Sequence, residues 1–446
     1  MSQTKKISVL FMLLLTLLGF RSCAYAASWI ESADISWYVS ADVSGDADNP
    51  YVISTGEQLA GIAKLVKETS TNFSGKTIVL NKNIDLKSIE WEPIGRFMNN
   101  WNNYGFAGTF DGRGHSITGL LVTQVTGENT ECPSLFGYLT SAGTIKNIYT
   151  EGIVQNNVAQ GAAILVTWNC GNVINCVVSG DAVAQGKGRG YVGGISAVAN
   201  GGIYRNCVVY GRYSAESSGM NYCGGLVGYA HQGAQTYFYN NVGLAAYLNP
   251  TSALTNGNGS GGINGGLVSS QHSNDYWLYE EGNEHQMNWG DGAYRTADGC
   301  TSTDIESKAP VSAVMLDPVM SEAHPANTEC TVNLITYPLL SSSSDVKCTW
   351  TFDDSNVKVI SNSGSSVVIN SSTEGEKSFT VKITGINGIP TDDSSNAITL
   401  KGSVLFKNAE LPESGSSGCN SGFTGLLLLS FVPLLCLRKN KLPSCR

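Results

Sequence analysis

Charge is what this chain has least of. Asp, Glu, Lys and Arg make up only 14% of its 446 residues, where an ordinary soluble domain carries roughly a quarter. The 27 basic residues form no run in the body of the chain, and the formal net charge is -9. A nucleic-acid partner is therefore not expected, because phosphate recognition needs clustered Lys and Arg. Histidine is reduced to 5 residues, and the 12 cysteines contain no C-x-x-C pair. A zinc site has little support, and neither a metal nor a cofactor is expected. Proline is scarce at 12. No ten-residue helical stripe occurs between Gly143 and Gly265, which disfavours helical and leucine-rich repeats. Acids are sparse over the same stretch, so nothing points to the paired carboxylates of a glycoside hydrolase.

What is present is glycine, 51 residues of it, arranged in a repeat. The segments SLFGYLTSAGTIKNIYTEG, AAILVTWNCGNVINCVVSG, GGISAVANGGIYRNCVVYG and GGLVGYAHQGAQTYFYNNVG follow one another from Ser134, Ala162, Gly193 and Gly224, and GGLVSSQHSNDYW from Gly265 is a degraded fifth copy. One apolar position recurs at Leu135, Ile164, Ile195, Leu226 and Leu267, in steps of 29, 31, 31 and 41. An asparagine recurs at Asn147, Asn175, Asn206 and Asn240, in steps of 28, 31 and 34. Two independent marks with one period signal a solenoid. The alternating, β-branched Ile-x-Asn-Cys-Val-Val runs read as short strands bracketed by glycine. A parallel β-helix follows, with strands stacked about 4.8 Å apart and an Asn ladder at one bend. Cys176 and Cys207 occupy matching positions. Stacked buried thiols suit them better than a disulfide, since in-register side chains point the same way.

Ahead of the repeat, Ser54 and Glu57 make a capping box. Leu59, Ile62, Ala63 and Val66 then form a helical stripe, placed to cover the open end of a solenoid. PYVISTGEQLAGIAKLV, IVLNKNIDLKSIEWEPIG and FAGTFDGRGHSITGL, followed by GGLVG repeats with an INC strand, resemble GLUG-motif proteins of the pectin-lyase-like class over roughly residues 45–270. The resemblance implies an all-β, right-handed parallel β-helix with an N-terminal capping helix. It also implies a bacterial surface protein, often adhesin-like, with no established catalytic residues.

From Ala309 the glycine repeats stop. Six alternating runs begin at Cys330, Val346, Val357, Ser366, Lys377 and Ala397, as expected of a β-sandwich of about 100 residues. The pattern resembles a bacterial Ig-like domain, with Trp350 as core tryptophan. A Cys330–Cys348 disulfide and two free thiols stand as equal alternatives. Such a sandwich between a β-helix and an anchor is most simply a spacer.

Both ends read as targeting signals. Lys5 and Lys6 precede an apolar run from Ile7 to Phe20, and Ala24-Tyr25-Ala26 offers cleavage after Ala26 by signal peptidase. At the far end LPESGSS leads to Gly418-Cys419-Asn420, an apolar stretch from Phe423 to Leu437, and Arg438-Lys439-Asn440-Lys441. At about 1.5 Å per residue that stretch is short for a bilayer. Temporary retention, with the basic end inside, is the favoured reading, and a permanent anchor is the other. The order resembles a Synerg-CTERM sorting signal, which implies processing near Cys419 by a membrane-bound sorting protease. The expected organisation is thus a signal peptide over 1–26, a β-helix over 27–305, an Ig-like sandwich over 310–408, a polar linker over 409–418 and a sorting segment over 419–446, ending in a short hydrophobic helix.

Candidate sites are few. Asp111, Arg113 and His115 crowd into DGRGHS. A lyase needs acidic calcium ligands and a basic proton acceptor facing one groove, whereas these lie in a single glycine-rich turn, and a structural bend is the better reading. Asp42, Asp46, Asp48 and Asn49 miss the spacing of a calcium loop and read as a solvated turn. Tyr276, Trp277, Tyr279 and Trp289 are candidate partner-binding aromatics, with closure of the solenoid core as the competing role. The expectation is a non-catalytic binding or structural surface protein whose partner is an extracellular glycan or protein. A β-helix polysaccharide lyase or hydrolase is the alternative.

Overall fold

The computed structural model describes residues 28–408 except 41, 98–103, 124–131, 158–160, 187, 232–233, 251–258, 262, 267–269, 274, 279–297, 301–310, 318–322, 339–345, 388 and 392–396. Side chains of 246–250, 259–261, 276, 278 and 298–300 are likewise left aside. The two targeting ends, with Ala24, Ala26, Gly418, Cys419 and Asn420, lie outside the described residues.

Three consecutive coils show how the repeat folds. Gly161–Ala163, Val166–Asn169 and Asn172–Ala184 make one coil. Gly190–Gly193, Ser196–Ala199 and then Gly202–Arg205 with Val208–Ala215 make the next. Asn221–Gly224, Val227–Ala230 and then Thr236–Tyr239 with Val242–Pro250 make the third. Every strand pairs in parallel with its equivalents above and below: Val192 lies between Ala162 and Cys223, Val198 between Trp168 and Tyr229, and Val208 between Val177 and Val242. The result is a β-solenoid of about six turns with very little helix. Its first two strands in each coil build two four-stranded sheets, and the third builds a long face of 14 strands.

The period-30 marks sit where the coil needs them. Leu135, Ile164, Ile195 and Leu226 are fully buried at the corner between the first two sheets. Two residues before Ile195 and Leu226 glycine is required by crowding, since a Cβ on Gly193 or Gly224 would collide with the carbonyl three residues on. Asn147, Asn175, Asn206 and Asn240 hold φ of 56, 50, 55 and 56°, the left-handed region that Asn tolerates better than other side chains. They bend the long face. The expected amide ladder is real at one rung, where Asn175 Nδ2 donates to Asn147 Oδ1 at 3.0 Å. It does not continue, because no bond is made by Asn206 Nδ2 or by either amide atom of Asn240. The two bonded amides spend their remaining capacity elsewhere, as described below.

The early coils mix aromatic and aliphatic residues in the core, with Phe106, Phe110 and Phe136 in contact, and the later ones turn from aliphatic to aromatic and then polar. One inward column runs Ile145, Val173, Tyr204, Phe238, His272 in register, with Tyr204 and Phe238 stacked at 5.0 Å and Phe238 and His272 at 4.6 Å. Cys176 and Cys207 are buried and free, as expected for stacked thiols. Burial, and then Cys207 beside it, pushes the Cys176 thiol well above its ordinary pKa.

The helix spans Gly56–Thr69 and buries Leu59, Ile62, Ala63 and Val66, with Leu65, in the solenoid's own core cluster. Its cap is one residue later than expected. Thr55 is the N-cap, its side chain accepting from Gln58 N, while Gln58 Oε1 accepts from Ser54 N. The sequence holds two overlapping boxes, Ser54 with Glu57 and Thr55 with Gln58; the chain caps with Thr55, and Gln58 accepts from Ser54, one residue before the cap. Among the described residues no helix is long and apolar enough to cross a membrane.

Beyond the solenoid, two sheets enclose one core that includes Val332, Ile369, Phe379, Val381, Leu400 and Phe406. The six expected runs are all strands: Glu329–Tyr337, Val346–Phe352, Val357–Asn362, Ser366–Ser371, Gly375–Ile386 and Ile398–Lys407. Ala313–Leu316 and Ala323–Pro325 add to the edges. Trp350 is only partly buried, lying against Phe379 with Nε1 donating to Gly364 O at 2.7 Å. Cys330 and Cys348 are both free, so the disulfide alternative does not hold.

Candidate functional site

The DGRGHS turn is a bend in an early coil, and it is covered. Asp111 Oδ1 accepts from Arg113 N and from Asn147 Nδ2, both at 2.9 Å, and Lys146 Nζ stands 3.5 Å from Oδ2. The carboxylate is thus engaged by structural donors. Arg113 takes φ 54° and its carbonyl accepts from Lys401 N at 3.0 Å, while Gly114 O accepts from Leu316 N at 3.2 Å. Both donors belong to the sandwich. Burial, then the Arg113 charge, lowers the His115 pKa to about 4. Arg113 and Gly114 thus meet the sandwich through their carbonyls, while Asp111 is held within its own coils.

The same contact continues along the Asn bend. Asn175 Oδ1 accepts from Val314 N at 2.8 Å and its Nδ2 donates to Val314 O at 3.0 Å, while Asn147 Nδ2 reaches Thr399 O at 3.4 Å. Beside these bonds Val177, Val208 and Val242 pack against Ala313, Met315 and Tyr337. A side-chain amide here does what a neighbouring strand would do, pairing both backbone groups of an edge residue.

The other expected sites resolve as follows. Asp46 accepts from Ser44 Oγ at 2.6 Å, Asp48 N at 3.0 Å and Asn49 N at 2.8 Å, and Asn49 Nδ2 donates to Asp42 O at 2.9 Å. This loop is a self-satisfied turn, and the Ser44 hydroxyl and Asn49 amide hold the Asp46 carboxyl below its usual range. Trp277, considered above as a partner-binding aromatic, is 8% exposed within the solenoid core. The side chain of Tyr276 and all of Tyr279 and Trp289 lie outside the described residues.

Two constellations escape a sequence reading. Ser270 Oγ lies 3.2 Å from His272 Nε2, and His272 Nδ1 lies 3.1 Å from Asp275 Oδ2, whose Oδ1 accepts from Asn241 N and Nδ2. The order is that of an activated hydroxyl. Here it closes the polar end of the core, with Ser270 1% and Asp275 0% exposed.

The second is on the outer side. On the strands containing Tyr138, Trp168, Val198 and Tyr229 these four residues align in one column. Phe97 stacks on Trp168 at 4.2 Å and 2°, and meets Tyr138 edge-on at 5.5 Å. His231 links Trp168, at 6.4 Å, to Tyr229, at 6.2 Å. Tyr229 meets Tyr191 at 5.1 Å and Tyr222 at 5.0 Å. Apart from buried Tyr191, the rings are half-buried or exposed. Exposed Arg189 is coupled to the tyrosines, with Nη1 3.4 Å from Tyr191 Oη. A sequence clue existed: the aromatic falls at the same repeat position in FGYL, VTWN and VGYA.

No family model matches the chain. A stretch of 161 residues, 34% of this chain, is 31% identical to halomucin of Haloquadratum walsbyi. That stretch covers 2% of halomucin. A crystal structure of a candidate immunoglobulin A1 protease from Bacteroides ovatus matches over 58% of this chain and 84% of its own, with a TM-score of 0.40 and 20% identity.

Proposed function

We propose that this chain is an exported bacterial protein, sorted to the cell surface, whose β-solenoid binds an extracellular glycan or protein without cleaving it. The observation that carries the reading is the cover over DGRGHS. The base and cation of the lyase alternative, His115 and Arg113, lie against Lys401, Gly114 between them bonds Leu316, and the acid Asp111 is engaged by Arg113 N and Asn147. In this reading the GLUG-type repeats over 27–305 form the binding rod. The helix at Gly56–Thr69 caps its first coil. The Ig-like sandwich over 310–408 holds the rod away from the cell, and the Gly418-Cys419-Asn420 segment directs sorting. The likeness to halomucin, by its name a mucin, agrees with an extracellular setting.

The test has two parts. Antibodies against the sandwich should label intact cells, and substitution of Gly418 and Cys419 should remove that label. The exported chain, incubated with candidate polysaccharides, should release no new reducing ends. Label confined to lysed cells would overturn the export, and shortened polymer would overturn the binding-only role.

A further inference from the structure

The geometry points to the outer aromatic strip as the binding site for a linear, carboxylate-bearing polysaccharide. This inference rests on the binding role proposed above and specifies its ligand class and its residues.

The strip differs from a structural ladder in its exposure and its electrostatics. Stacked rings that only stabilise a solenoid can lie inside it, as Tyr204 and Phe238 do at 0% exposed. Trp168, Tyr222 and Tyr229 instead face outward and remain half-buried. The two tyrosines offer an apolar body and a polar tip, the combination that meets a sugar's C–H face and its hydroxyls together, and Trp168, whose Nε1 is buried, offers its ring alone. From Tyr138 to Tyr229 the column advances three coils, roughly 14 Å at the strand spacing. A linear glycan laid along the axis would touch several rings in turn. Val198 interrupts the column and is 2% exposed, forming its apolar floor.

Charge selects the class of sugar. The Arg189 charge acts on both Tyr222 and Tyr229. The tyrosine hydroxyls hold the Arg189 pKa above its ordinary value. An exposed guanidinium held at the edge of a ring surface by Tyr191 can fork to a carboxylate. A uronic-acid polymer supplies both that group and the ring faces. The chain's net charge of -9 opposes a polyanion at long range, so binding should depend on the local fork and weaken with salt.

Affinity electrophoresis of the exported chain through gels containing polygalacturonate, alginate or hyaluronan tests this, with neutral dextran as the comparison. The expected result is retardation by at least one acidic polymer and none by dextran. Trp168→Ala and Arg189→Gln should each weaken binding about tenfold. Arg189 is exposed, so its variant should keep the wild-type melting temperature and remain informative if Trp168→Ala folds poorly. Absence of retardation by all three acidic polymers, equal retardation by dextran, or wild-type binding by Arg189→Gln would overturn the assignment. Glycan binding that ignores both substitutions would remove this site while leaving the binding role intact. Cleavage of the polymer would instead remove the binding role itself.

Discussion

Asn175 and Val314 are 139 residues apart, yet the amide of one pairs both backbone groups of the other, at 2.8 and 3.0 Å. A solenoid bend thereby serves as the edge partner of a sandwich strand. The amide also donates to Asn147, so one side chain ties two coils and the sandwich together.

Removing that amide should loosen the junction. Asn175→Ala leaves buried Val314 N and O without partners, at about 1–3 kcal/mol for each group, and strains a residue held at φ 50°. Asn175→Gly relieves the strain and still loses the bonds. We expect both variants to lower stability in urea denaturation, the Gly variant by about 3 kcal/mol. A Gly variant as stable as wild type would deny the amide this role.

The long face has a second fixed point. Gly180 takes φ 130° and Gly211 φ 121°, and a Cβ on either would run into the carbonyl of the glycine one coil below. Gly180→Ala should cost at least about 3 kcal/mol. A melting temperature within a degree or two of wild type would show that the coils yield there.

The solenoid was legible from sequence because its information is local and periodic. Leu135, Ile164, Ile195 and Leu226 repeat because each coil presents the same corner to the same core, and Asn147, Asn175, Asn206 and Asn240 because each takes the same left-handed bend. The docking was not legible. Leu316, Lys401 and Val314 contribute backbone atoms, which leave no mark in residue identity. For the same reason DGRGHS could be read as a bend but not as a covered one. The aromatic strip joins two periodic columns, Tyr138, Trp168 and Tyr229 in one and Tyr191 and Tyr222 in the other, to Phe97, which has no period to find, so the columns had a period but their meeting did not. The helix cap failed by one residue because two valid boxes overlap.

His115 carries a pH signature of the docking. Its folded pKa of about 4 lies below the ordinary 6.5. The unfolded chain therefore binds the proton more readily between those values, and stability falls as pH drops from about 6.5 towards 4. The shift corresponds to at most about 3 kcal/mol. Urea denaturation at pH 7.5 and 4.5 should show the loss, and His115→Gln should reduce it. An unchanged pH dependence in the variant would mean that His115 is not held neutral by the contact.

The cysteines give a redox prediction. Cys176, Cys207, Cys330 and Cys348 are free, and burial raises the Cys176, Cys330 and Cys348 pKa values. Reductant should leave the melting temperature unchanged, and buried Cys176 and Cys207 should react with a thiol reagent only after denaturation. A melting temperature that falls with reductant would contradict the free thiols found among the described residues.

Binding without cleavage is the central claim, and the polymer itself reports on it most directly. Polygalacturonate, alginate and hyaluronan, each held with the exported chain and then sized by chromatography with light scattering, should keep their length distributions while at least one carries the protein in its peak. A polymer that emerges shortened, in a reaction abolished by Asp111→Asn or His115→Gln, would contradict the account and place catalysis at the DGRGHS turn.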